Sequence, residues 1–131
     1  MHTEVQSILD HCEEYATDLL KETGEAYPFG AFTDTNGQVH PLEMEIDKKN
    51  VPTIGKVVEA LHKYGQAELA EKRINGYAVT YECEIQISEE EQLDCIAIDI
   101  THPAEETPLF YLPFRVTELG VGVDELFAVK R

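Results

Sequence analysis

Five histidines and three cysteines are the side chains of this 131-residue sequence best suited to metal or nucleophilic chemistry. His2, His11, His40, His62 and His102 show no H-x-x-x-H or H-x-H spacing, and Cys12, Cys83 and Cys95 form no C-x-x-C. No stretch therefore gathers the converging ligands a zinc or other transition-metal site needs, and no metal or other cofactor is expected. His11 and Cys12 are neighbours, but on a helix they point about 100° apart, with Cys12 in the core and His11 in solvent. All three cysteines fall on apolar or mixed faces, where a thiol serves as a small hydrophobe. Ser7 and Ser88 sit in no G-x-S-x-G, Gly120-Val121-Gly122 lacks the third glycine of a dinucleotide fingerprint, and there is no Walker-type loop.

Three groups remain as candidates. If the second helix runs straight, Glu68 enters its apolar stripe, and a carboxylate in a low-dielectric site is a candidate for function. A break at Gly65 instead frees Glu68 to pair with Lys72 on the surface. Arg115, on a strand near Tyr111 and Phe114, could hold an anionic ligand or pair with a neighbouring glutamate. Finally, Glu43, Glu45 and Asp47 on one strand and Glu82 and Glu84 on another form acidic faces that could meet a basic partner.

The elements positioning these residues follow from periodicity. Thr3 to Thr23 gathers Val5, Ile8, Leu9, Cys12, Tyr15, Ala16, Leu19 and Leu20 within an arc of about 140°, a helix on a core surface, and Gly24 offers its left-handed stop. Tyr27 to Phe32 and Val39 to Ile46 flank Asn36-Gly37, the signature of a hairpin. A second helix opens near Asn50–Thr53 and carries Ile54, Val57, Val58, Leu61 and Tyr64, with its stripe slipping after Gly65, where a kink or break is expected. Strands follow at Tyr77 to Ile87, Leu93 to Thr101 and Leu109 to Val116. The tail, Thr117 to Arg131, is too short to assign between strand and helix turn.

The order α-β-β-α-β-β-β with short connections predicts an α+β fold, a single domain over 1–131 with a five-stranded, mostly antiparallel sheet and two helices. Charge sorts the strands, because edges are commonly protected by charged side chains. Strands two and three become edges, and the sheet order is expected to be 2-1-5-4-3. This topology resembles the profilin-like and roadblock or longin folds, a resemblance that implies a scaffold for assembly. Tyr27-Pro28-Phe29-Gly30 with the Asn-Gly hairpin, and Leu112-Pro113-Phe114 later, resemble a set of small bacterial proteins, which adds no activity.

At a net charge of −16 the chain would be repelled by nucleic acid and by anionic membranes, and its ten Lys and Arg form no basic stripe. Without a signal-like or membrane-spanning stretch, and with scattered cysteines, a cytoplasmic location is expected. The reading that results is a non-catalytic interaction or assembly module, homodimeric through an edge strand or a helix face. An acidic inhibitor of a basic protein is the alternative, and a small enzyme with a hidden acid/base pair is the third.

Overall fold

The computed structural model describes every residue except Glu45, Ile46 and Lys48. Its elements are α1 (Thr3–Thr23), β1 (Phe29–Thr33), β2 (Val39–Leu42), α2 (Ile54–Ala70), β3 (Gly76–Gln86), β4 (Gln92–Thr101), β5 (Leu109–Thr117), β6 (Gly120–Val123) and β7 (Phe127–Val129). The fold is α+β, with two helices packed on one antiparallel sheet of seven strands among the described residues. No helix among them is long and apolar enough to cross a membrane.

Helix α1 forms where the apolar arc predicts it. Val5, Ile8, Leu9, Cys12, Ala16 and Leu20 are buried against the sheet, each large side chain contributing about 1.5–3 kcal/mol by leaving water. The helix ends on Gly24 at φ 78°, whose amide bonds back to Leu20. It lies against one face, over Phe29, Ala31, Ala78, Ile96, Ile98, Ile100, Phe110 and Leu112. Helix α2, capped by the Thr53 hydroxyl, packs on the other face against Tyr77, Val79, Phe32 and Tyr81 of β1 and β3.

The expected break at Gly65 does not occur. Helix α2 runs without interruption to Ala70, and Gly65 is buried against the ring of Tyr77, where a Cβ would come within 2.6 Å of it. The glycine admits an aromatic ring to the helix surface, and local pattern reads this close approach as a breaker.

The expected sheet is also wrong, in strand number and in order. The strands run β2-β1-β3-β4-β5-β6, with β7 beside β6 on the outer edge of β5. Strand β3 is central. Only its first half, Gly76–Thr80, pairs with β1, so Glu82 and Glu84 lie beyond that neighbour while β4 pairs along the whole strand. Their charge protects an overhang and not a sheet edge. Strand β5, apolar on both faces, is interior because the tail left unassigned in sequence supplies β6 and β7 against it. The outermost strands of the sheet are short. At β2 one residue of four is Pro41, which has no amide donor, and the other edge is divided between β6 and β7.

Candidate functional site

The fold carries carboxylates far apart in sequence to the loop between α1 and β1. Ala26 donates its amide to the Glu82 carboxylate, and the Tyr15 hydroxyl donates to Glu43. Beside them Tyr15, Leu19, Thr23, Glu25, Tyr27, Pro28, Phe29, Glu43 and Met44 line a cleft of about 300 Å³. Its floor is aromatic and apolar, with Tyr15 and Phe29 in contact at a ring separation of 4.5 Å, and its rim carries the exposed Glu25 and Glu43. Exposed Glu84 lies two residues beyond Glu82 on the same side of β3. Along α1, Asp10, Glu13, Glu14 and Asp18 add a strip of negative charge. A long cationic side chain suits such a place: its stem covers apolar surface, its head meets an aromatic face, and the carboxylates hold its charge.

Of the acidic residues anticipated for a partner, Glu43 lines this cleft, and Glu82 sits beside it on the Ala26 amide. Asp47 is exposed on the turn after β2, where its carboxylate accepts the Lys49 amide at 2.9 Å, and Glu45 lies outside the described residues. Glu25, Tyr15 and Leu19 are members that sequence reasoning did not find. Tyr27-Pro28-Phe29 stood out only as a resemblance, because nothing in a linear pattern places the end of α1 over it.

Glu68, Tyr111 and Arg115 do not form one site. Glu68 accepts both Nε and Nη2 of Arg73 at 2.9 Å, and those hydrogen bonds hold its carboxyl below the ordinary range. Its partner is Arg73 and not the expected Lys72, because Lys72 turns the chain at φ 56°. The Arg115 side chain is 73% exposed and lies 3.7 Å from Asp124, just past the end of β6, so its neighbour is an aspartate and not the expected glutamate. Tyr111 stacks near Phe127 of β7 at 5.5 Å, and burial pushes its hydroxyl pKa up.

Cys12 and Cys95 are buried thiols, and Cys83 is half-buried. Burial pushes Cys12 up to about 12 and, with Cys83 and Asp94 nearby, Cys95 up to about 11. His11 is half-buried and not in solvent as expected. It stacks near Tyr15, its Nε2 is buried without a hydrogen-bond partner, and burial lowers its pKa.

A cluster invisible in sequence joins His2, Glu4 and His102 at the start of α1, their polar atoms within 4.8 Å of one another. Such a trio could share a cation, but the protons speak for another role. Nδ1 of His2 accepts the Glu4 amide at 3.1 Å, and Nδ1 of His102 accepts the Ala104 amide at 3.0 Å. Each neutral ring therefore carries its proton on Nε2, and the Nε2 of His102 faces Glu4 at 3.5 Å. A metal at Nε2 would need that proton moved to Nδ1, against a backbone donor. The cluster caps the helix.

No protein-family model, no curated protein and no solved structure matches the chain.

Proposed function

We propose that the chain is a protein-binding module whose partner is basic, gripped at the carboxylate-rimmed aromatic cleft between α1 and the start of β1. The observation that carries this reading is the convergence of Glu25 and Glu43 on one small apolar cleft, with Glu82 bonded to the adjoining Ala26 amide. Charge elsewhere supports it. All three arginines of the chain are already engaged by carboxylates, Arg73 with Glu68, Arg115 with Asp124 and Arg131 with Asp99. With 26 acidic against 10 basic residues the chain carries a net charge of −16, and such a charge steers a cationic protein toward it. An inhibitor covering the cationic working surface of another protein is the specific form this reading takes. Its three free cysteines suit a reducing compartment, such as the cytoplasm.

The test is capture of partners from a lysate at low and at high salt, with the wild-type chain and with Glu25→Lys/Glu84→Lys as baits. The expected result is a basic protein bound by the wild type at low salt, released at high salt and weakened at least about tenfold by the double charge reversal. A partner that ignores both salt and the reversal would overturn the reading.

A further inference from the structure

The two faces of the sheet are covered unequally. Helix α1 and its core span the sheet from β1 to β6, whereas α2 packs on β1 and β3 and meets β4 through His62, 3.5 Å from Asp99. On the α2 side, the far half of β3, the first half of β4 and all of β5 and β7 have no helix over them.

Register identifies what this uncovered face presents. Tyr81, Cys83 and Ile85 of β3 stand beside Ala97, Cys95 and Leu93 of β4. Cys95 and Ala97 in turn stand beside Pro113 and Tyr111 of β5, and Tyr111 beside Phe127 of β7. Cys95, Ala97 and Pro113 are buried between these neighbours, so the face is presented by the half-buried Tyr81, Cys83, Ile85, Leu93 and Tyr111 and by β7. Phe127 and Val129 are 37% and 46% exposed. Charged residues on this side of the four strands are Asp99, held by Arg131, and Arg115, beside Asp124. In a chain of net charge −16, the face carries no uncompensated charge.

We infer that this face seats a second copy of the chain, packed sheet against sheet about a two-fold axis. Electrostatics selects that occupant. Two copies of net charge −16 repel each other, and they repel least where they meet through a face without uncompensated charge, while a basic partner gains nothing from a neutral face. An antiparallel sheet face turned on a two-fold axis matches apolar rows with apolar rows, as stacked sheets about 10 Å apart require. The size of the face sets the strength. Strand β7 contributes three residues and the middle of β4 is buried, so the interface lies at or below the small end of specific interfaces and the dimer is weak and concentration-dependent.

This association and the binding of a basic partner respond to salt in opposite directions, so each can fail without the other. Sedimentation equilibrium of the purified chain over a range of protein and salt concentrations is the test. The mass should rise from 14.8 kDa toward twice that value with concentration, and the dissociation constant should fall severalfold between about 0.05 M and about 0.5 M salt. Val129→Asp and Phe127→Asp, both at exposed positions, should remain monomeric with unchanged circular dichroism. Alkylation of Cys83 by a maleimide should slow severalfold in the dimer. A monomer at every concentration, or a dimer that survives both substitutions or leaves Cys83 unprotected, would overturn the inference.

Discussion

A methyl group at position 65 has no space, since it would lie within 2.6 Å of the Tyr77 ring. Gly65→Ala gains about 1 kcal/mol of helix propensity, but overpacking a filled site costs about 1–3 kcal/mol. Urea denaturation should show a net loss of stability, whereas Gly55→Ala, with nothing within 4 Å, should show none. Glu68 gives the second prediction at this scale. Arg73 depresses its folded pKa, so the stabilisation is present above the ordinary 4.5 and is lost as pH falls through the lower folded value. Glu68→Gln should lower the melting temperature at neutral pH, by an amount that closes on acidification below 4.5. Single residues were only partly legible in sequence. The core positions of α1 follow from period alone, but the role of Gly65 depends on Tyr77, an aromatic ring on another element. Glu68 could be placed on its helix, yet its partner depended on how the chain turns at Lys72.

Elements were legible where the signal is local. Helix α1 spans Thr3–Thr23 as periodicity predicts, the Asn36-Gly37 hairpin joins β1 to β2, and Thr53 caps α2. Strand neighbours were not legible, because pairing depends on length as well as charge. Glu82 and Glu84 mark β3 as an edge only if the whole strand is flanked alike, and β1 is too short to flank it. The cap of α1 was hidden for a chemical reason. Capping is usually done by oxygen-bearing side chains, and here an imidazole nitrogen of His2 accepts the Glu4 amide. His2→Ala should cost about 1 kcal/mol in thermal or urea unfolding, and His2→Asn, which keeps an acceptor, should restore most of it.

At the scale of the whole molecule, self-repulsion is the dominant electrostatic fact. With 26 acidic against 10 basic residues, raising salt from about 0.01 M to about 0.5 M shrinks the screening length from about 30 Å to a few ångströms and relieves that repulsion. The melting temperature should rise with salt, and a fall would mean that the ion pairs of Arg73, Arg115 and Arg131 outweigh the net charge. The acidic character was evident from composition, but its arrangement was not, because the neutral face exists only once β4, β5 and β7 lie side by side.

The sheet's short borders, one carrying Pro41 and the other divided between β6 and β7, bear on how this protein changes over time. Neither of these borders offers a long main-chain ladder to another polypeptide, and on the proposed reading recognition is written in side chains on the cleft and on the open face. Such a vocabulary is rewritten one residue at a time, and the chain can exchange one associate for another while its backbone stays as it is.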